Sequence, residues 1–401
     1  MNPVPKRLAV TLTAAGQRVL RSGHPWLFSR AVQRIKGTAE AGDLAIIFDR
    51  KRDNCIGVGL LDPESPIRIK VLHQGGPARI DAEWFSERIA AAAARREPLL
   101  QTDTNGYRLL HGENDGLPAL VADVYAGVLV LKLYSAIWFA HLPVLLPLLQ
   151  RRSETETAVL RLSRNVRSEA ADYGYAEGQV LYGDLQDPQV VFREHGLRFV
   201  ANVLRGHKTG FFLDHRANRR RVGELSEGKD VLDVFSYAGG FSVHALAGGA
   251  YRVMSLDISG PALEDATRNV ALNFEEEIRH ETFRADAFTG LQELARRGET
   301  FDLVIVDPPS FAKQEKEVPR ALAAYRKING LAVPLVKPGG VLLAASCSAR
   351  VSSGDFFGVV ERVVRRSGRR FKLLDQTFHD IDHPVGFPEG AYLKSVYYRL
   401  K

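Results

Sequence analysis

At 401 residues the chain is longer than a single hydrophobic core usually grows, so two or three domains are expected. Its composition, 45% hydrophobic and 25% charged, is that of an ordinary soluble globular protein. There is no apolar run of about 18 residues to span a membrane, no signal-like apolar stretch in MNPVPKRLAV, and only two cysteines, Cys55 and Cys347, which excludes a disulfide framework or a zinc cluster and points to free thiols in the cytoplasm.

From Leu8 to about Gly75 the sequence is a series of short β-like runs, RLAVTL, DLAIIFD, NCIGVGLLD and IRIKVL. Turn signals such as SGHPW break them at short intervals, which favours a small barrel or sandwich. After the HQGGP linker, AEWFSERIAAAAARREPLL carries Trp84, Phe85, Ile89 and Ala93 at helical spacing and predicts a helix ending at Pro98. YRLLHGENDGLPALVADVYAGVLVLKLY reads as strands around tight turns, followed by the helix-like WFAHLPVLLPLLQRR and the strand TAVLRLS. A second, small α+β unit is therefore expected over 76–188, closing at the polar turn GDLQDPQ.

Over 189–401 buried strands alternate with helices. KDVLDVF, YRVMSLDI, FDLVIVD and GGVLLAAS are β-branched apolar runs of the parallel-sheet kind, separated by SVHALAGG, PALEDATRNVALN, LQELARRG and ALAAYRKINGLAVPLV. This predicts a doubly wound α/β domain of Rossmann-like type, whose ligands bind outside the carboxyl ends of the strands.

The residues at those ends carry the functional reading. The first strand runs into VLDVFSYAGGF, where Asp233 leads a turn of Ser236, Tyr237, Ala238, Gly239 and Gly240; the second ends at Asp257, an acid placed to take ribose hydroxyls. A dinucleotide needs G-x-G-x-x-G, which is absent, and an acid ahead of the turn repels a diphosphate but suits an ammonium group. S-adenosylmethionine fits better than NAD, with Asp286 and Phe288 of ADAF available to its adenine. The fourth strand ends in DPPSF, whose prolines stiffen a loop presenting Asp307 and Phe311 to a planar base. The fifth ends in AASCS, which puts Cys347 at the mouth of the same crevice. A lone cysteine after an apolar run is often a small buried hydrophobe, but a thiolate beside a nucleobase can add to carbon 6 of a pyrimidine and make carbon 5 nucleophilic.

The net charge of +7 is compatible with a polyanion. Basic residues cluster over Arg205–Arg221, over Glu361–Lys372, and at Arg161, Arg164 and Arg167, a distribution that points to nucleic acid. His24, His207, His215 and His383 have no metal-ligand spacing; they are expected to be structural or RNA-facing, and no metal is expected.

With the motifs GHKTGFFLDHR, DPPSF and SCS in combination, the sequence resembles the class I S-adenosylmethionine-dependent RNA methyltransferases that modify cytosine at carbon 5. Within them it is similar to the bacterial 23S ribosomal RNA family with an N-terminal PUA domain and a small central domain. LRSGHPWLFSRAV, HGENDGLPALVADVY and DHPVGFPEGAYLKSVYYRL extend the similarity over the whole chain. The resemblance implies a PUA-like RNA-binding domain over 1–75, a central domain over 76–188 and a methyltransferase domain over 189–401. It implies cofactor contacts from Lys208, Thr209, Phe212, Asp214, Arg216, Asp233, Ser236, Tyr237, Gly239, Asp257, Ile258, Asp286, Ala287 and Asp307, substrate contacts from Pro308, Pro309, Ser310 and Phe311, and catalysis by Cys347 and Asp307. It further implies large-subunit ribosomal RNA as partner, a flipped-out target base and a homodimer. Two-cysteine relatives have a second cysteine where this chain has Ser310, so another base or water must release the product. Methylation of a guanine or uridine, and a non-catalytic ribosome-assembly factor, are the alternatives.

Overall fold

The computed structural model describes residues 4–51, 54–275 and 278–401 and divides into two compact units. The first comprises Met1–Arg193, Ala201–Leu213 and Ile381–Phe387; the second comprises Glu194–Val200, Asp214–Asp380 and Pro388–Lys401. Residues 1–3 and 52–53 of the expected N-terminal module lie outside the described residues.

The first unit opens with β1 (Arg7–Leu12), α1 (Ala14–Arg21), β2 (Trp26–Leu27), β3 (Val32–Ile35), β4 (Leu44–Phe48), β5 (Cys55–Leu61) and β6 (Ile69–Gln74). They form a six-stranded sheet in the order β2-β6-β5-β4-β1-β3. The β-rich expectation holds, except that α1 stands between the RLAVTL strand and the SGHPW turn, where no helix was expected. Thr13 caps it by accepting from the Gly16 amide, and Gly16, Gln17 and Leu20 form its buried face, a pattern only eight residues long that rests on the cap for its N-terminal signal. Next come α2 (Ala82–Leu100), β7 (Gly106–His111), β8 (Leu120–Tyr125), β9 (Val128–Leu133), α3 (Leu142–Ser153), β10 (Thr157–Leu162), α4 (Arg167–Ala170) and β11 (Val180–Tyr182). The sheet order is β11-β10-β9-β8-β7, with β10 parallel to β9. Helix α2 does not stop at Pro98 but runs through it to Leu100, because a proline two residues from a helix end removes only one late intrahelical bond. Trp84, Phe85 and Ile89 of α2 pack with Trp138, Phe139 and Leu145 in a core that also takes Val58 and Leu60 of β5.

A two-stranded hairpin of β12 (Gln189–Glu194) and β13 (Leu197–Asn202) carries the chain across the division. The second unit then continues with α5 (Arg216–Glu224), β14 (Asp230–Val234), α6 (Gly240–Ala247), β15 (Arg252–Asp257), α7 (Gly260–Ala271), β16 (His280–Arg284), α8 (Ala287–Arg296), β17 (Phe301–Val306), α9 (Val318–Ala332), β18 (Val336–Ser346), α10 (Ser353–Arg366), β19 (Phe371–Thr377) and β20 (Lys394–Leu400). The seven-stranded sheet has the order β16-β15-β14-β17-β18-β20-β19, parallel from β16 to β18, with β20 antiparallel to both neighbours. This is the expected doubly wound domain. The order reverses between β14 and β17, so their carboxyl ends flank the crevice where such sheets bind ligands.

Helices α5 and α6 approach closely through two glycines. A Cβ on Gly248 would lie 2.0 Å from the Gly223 carbonyl oxygen, and one on Gly223 would lie 2.8 Å from the His244 carbonyl oxygen. Backbone oxygens cannot swing aside, so Gly248→Ala should destabilise the protein by about 1–3 kcal/mol through overpacking. Denaturant unfolding monitored by far-ultraviolet circular dichroism, which reads the helices of both units, should show this as a lowered midpoint; an unchanged midpoint contradicts the close packing of α5 on α6.

Candidate active site

Parallel pairing aligns Val234 with Val306 and Val306 with Ala344. Three strands therefore end side by side, and the residues just past them, the turn after Val234, Asp307 and Cys347, share one edge of the sheet. The turn after β14 is tight: Phe235 and Tyr237 adopt φ of 65° and 49°, and Gly239 has φ of 72°. Left-handed conformations at two aromatic residues are strained and collect at functional sites. The Tyr237 amide donates to Asp257 Oδ2 at 2.9 Å, tying this turn to the end of β15. A Cβ at Gly239 would come within 2.8 Å of that of Ala266, so glycine is needed for the approach of α7 as well.

Asp233 is fully buried. Its Oδ2 accepts from the Ser242 hydroxyl at 2.7 Å and the Ser242 amide at 3.2 Å, whereas among the described residues Oδ1 has no hydrogen-bond partner, and neither does the buried hydroxyl of Ser236. Burial pushes the Asp233 carboxyl up to about 7; the Ser242 bond opposes this and the Asp307 carboxylate adds to it. A buried carboxylate oxygen and a buried hydroxyl left without partners are costly unless a ligand completes them, and the ammonium group of S-adenosylmethionine is a cation that does so. The residues present thus fit the cofactor. Asp257 accepts from the Tyr237 and Ser259 amides, Ile258 beside it is 67% exposed, and Asp286 caps α8 by accepting from the Phe288 and Thr289 amides, followed by the buried Ala287.

At the neighbouring strand ends, Asp307 Oδ1 lies 3.2 Å from His215 Nε2, Cys347 Sγ lies 3.6 Å from the same nitrogen, and Sγ is 3.8 Å from Asp307 Oδ1. Cys347 is half-buried, so its sulfur is not sealed in the core. Ser310 bonds the Ser348 hydroxyl at 2.9 Å and the Ala312 carbonyl at 3.1 Å, Pro308 is buried, and Pro309 is exposed. Phe311 sits 5.0 Å from the Tyr325 ring, partly buried against the core of the sheet, as is Phe288. The loop after Cys347 is held by Lys394, whose buried ammonium donates to the carbonyls of Ser348, Val351 and Tyr392. Burial brings its pKa down to about 8, partly offset by the Cys347 sulfur.

The expected cofactor residues upstream divide. Asp214 and Arg216 lie in the second unit. Asp214 accepts from the Tyr392 hydroxyl at 3.0 Å, and Arg216 is fully buried beside Glu194 at 3.4 Å and Asp380 at 3.5 Å. Lys208, Thr209 and Phe212 lie in the first unit. The Thr209 hydroxyl is committed to Asp123 and Tyr125, the Lys208 carbonyl accepts from Lys132, and the Lys208 ammonium stands 4.6 Å over the Phe212 ring. The basic clusters also need correcting. Arg161 is buried, bonding Glu177 and the Val203 carbonyl, and Arg219 is bidentate to Glu194, so these two cations hold the fold. Arg164, Arg167, Arg205, Arg220, Arg362 and Arg366 are exposed and remain as phosphate-facing candidates. Sequence reasoning missed the placement of His215, Asn218, Ser242 and Lys394. The only available signal for the first two was their position inside or just after HKTGFFLDHR.

Because a cation must meet ionised Asp233, affinity for S-adenosylhomocysteine should fall as pH drops through about 7, approaching tenfold per pH unit. Asp233→Asn should weaken binding at pH 8 by about 10- to 100-fold and remove the pH dependence; calorimetry at several pH values checks both. In the ligand-free protein the native carboxyl holds its proton above the ordinary 3.8. Its contribution to stability is therefore fully present below about pH 4 and lost as pH rises to about 7.

A family model described as S-adenosylmethionine-dependent methyltransferase matches residues 107–394, and one described as a PUA-like domain matches residues 10–74. A Ribosomal RNA large subunit methyltransferase of Deinococcus radiodurans is 49% identical over 399 residues, covering 98% of both chains. Ribosomal RNA large subunit methyltransferase I of Pseudoalteromonas atlantica is 36% identical over 391 residues, covering 96% of this chain and 98% of its own. Among solved structures, a SAM-dependent methyltransferase from Streptococcus mutans shares the fold with a TM-score of 0.81 at 20% identity, over 98% of this chain and 99% of that one. Another, SMU.776 complexed with SAH, has a TM-score of 0.82 at 20% identity, over 98% of this chain and all of that one. The chain thus belongs to the S-adenosylmethionine-dependent methyltransferases, in the family of the ribosomal RNA large subunit methyltransferases.

Proposed function

We propose that this enzyme methylates carbon 5 of a cytosine in 23S large-subunit ribosomal RNA through a covalent bond between Cys347 and carbon 6. The observation that carries the reading is the meeting of the Cys347 sulfur and the Asp307 carboxylate, 3.8 Å apart, at strand ends next to the Asp233 turn. Bound S-adenosylmethionine supplies an electrophilic methyl group on a sulfonium with a good leaving group. The Cys347 thiolate adds to carbon 6, the displaced pair makes carbon 5 nucleophilic, and carbon 5 takes the methyl group. A base or water then takes the carbon 5 proton, the carbon 6–sulfur bond breaks with its electron pair on sulfur, and the ring and the thiolate are restored. Asp307 bonds the cytosine edge, and Phe311, with Pro308, Pro309 and Ser310, flanks the ring. Asp233, Ser236, Tyr237, Gly239, Asp257, Ile258, Asp286 and Ala287 hold the cofactor.

The names of the relatives support ribosomal RNA as substrate, and the PUA-like module together with the exposed arginines supports a grip on structured RNA by backbone and shape. Among the described residues no helix is long and apolar enough to cross a membrane, which agrees with work in the cytoplasm. The family resemblance extends the reading to a homodimer that needs no metal ion, with domains over 1–75, 76–188 and 189–401.

Cys347→Ala should lower methyl transfer to unmodified ribosomal RNA by a thousandfold or more, on the order seen when an attacking nucleophile is removed. RNA containing 5-fluorocytidine should be trapped as a covalent adduct at Cys347. Retained turnover in the variant points instead to attack by a purine nitrogen. A 5-methyluridine product in the nucleoside digest replaces cytosine by uridine.

A further inference from the structure

We propose that His215, held by Asn218, is the base that takes the Cys347 proton, so that the resting enzyme carries a thiolate–imidazolium pair beside Asp307. This rests on the reading of Cys347 as the attacking group and deepens it, since an ordinary thiol is mostly protonated at neutral pH and the thiol form does not attack carbon 6. His215 sits at the N-terminal boundary of α5 and is buried, its ring edge-on to Phe241 at 5.4 Å. Its Nε2 is within 3.6 Å of the sulfur and 3.2 Å of Asp307 Oδ1. Its other nitrogen, Nδ1, is 3.1 Å from the side-chain amide nitrogen of Asn218, one helical turn along, an orientation of the amide that the choice of hydrogen-bond network assigns.

The surroundings of Asn218 explain why this residue suits the task. Its amide meets the imidazole and three hydroxyls, those of Ser395 at 3.2 Å, Thr377 at 2.6 Å and Tyr397 at 2.9 Å. Hydroxyls donate or accept as required, so the amide satisfies all four partners with either its oxygen or its nitrogen toward the ring. With the oxygen turned to Nδ1, that nitrogen donates its hydrogen and Nε2 offers a lone pair to the thiol. The S–H bond breaks, an N–H bond forms at Nε2, and the electron pair stays on sulfur. The imidazolium then donates through Nδ1 to Asn218 and through Nε2 to the thiolate and Asp307. Asn218 is thus a positioning residue, and His215 acts on the reacting atom itself.

Other charged and titratable groups face the pair. Asp307 from the end of β17 favours the imidazolium. Lys394 from β20, itself interacting with the Cys347 sulfur, favours the thiolate. Tyr325 from α9 faces both the sulfur and Asp307, with its hydroxyl pushed up to about 12 by burial. Asp233 from β14 faces Asp307. The two that carry opposite charges, Asp307 and Lys394, each stabilise one member of the ion pair.

The test needs neither RNA nor cofactor, so its failure is distinguishable from failure of the methyl-transfer reading. In a Cys55→Ser background, which leaves Cys347 as the only thiol, alkylation by iodoacetamide is followed by intact-protein mass spectrometry from pH 5 to 10. The parent should reach its rate plateau with a midpoint below the ordinary thiol value of about 8.5. His215→Gln should raise that midpoint by about one pH unit or more and slow alkylation at pH 7 by about tenfold or more. Asn218→Leu should shift the profile in the same direction, and Asn218→Asp, which keeps an acceptor for Nδ1, should restore most of it. A folded His215→Gln protein, judged by its melting temperature and S-adenosylhomocysteine binding, that alkylates with the parent's pH profile overturns the proposal. Should that variant not fold, ring ¹⁵N spectra of the parent decide: blocking Cys347 with methyl methanethiosulfonate at pH 7 should move one histidine from imidazolium to neutral shifts, and no responding histidine overturns it equally.

Discussion

The site depends on the register of three parallel strands. Once Val234, Val306 and Ala344 lie in line across β14, β17 and β18, the chain can only continue into one crevice. Whatever follows each strand is then brought within a few ångströms without any local sequence rule demanding it. A slip of one residue would turn every side chain of the strand to the opposite face of the sheet. The nearly continuous burial of these strands, with Leu232, Val234, Val304, Val306, Leu342 and Ala344 all in one core, is what forbids such a slip.

Two buried carboxylates in the second unit show how the protein separates structural charge from functional charge. Burial opposes ionisation of Glu194, but Arg219, His244 and Arg216 outweigh it and hold the group well below the usual carboxylate range. Its charge is spent on the fold. Asp233 is equally buried, yet it has only Ser242 for company, and its second oxygen is unfilled. That imbalance supports the proposed role of Asp233 toward a cationic ligand, because a cation would offset the cost of the buried oxygen.

Alternation of apolar runs with helical stretches gave the doubly wound domain correctly, because parallel strands buried on both faces read as unbroken β-branched runs. The acids and the cysteine at strand ends were equally legible, since in such sheets the strand end itself marks the ligand side. What escaped was of two kinds. Helix α1 and the passage of α2 through Pro98 depend on a single cap and on distance from a helix end, which composition does not weigh. The arginines of the basic clusters look alike in sequence, yet Arg161, Arg216 and Arg219 are buried against acids, whereas Arg164, Arg220 and Arg362 are exposed. A positive charge has no sequence signature for its partner.

By itself the sequence determined the class of fold, the order of the strands along the chain and the chemical types waiting at their ends, because periodicity and turn chemistry are local properties. Only the tertiary structure decided that His215, 92 residues before Asp307 and 132 before Cys347, shares their crevice, that Asn218 lies against its far nitrogen, and that one oxygen of Asp233 has no partner among the described residues. Distances between side chains remote in sequence are fixed by packing and register, and so is the solvation that sets their protonation. No reading of neighbouring residues contains either.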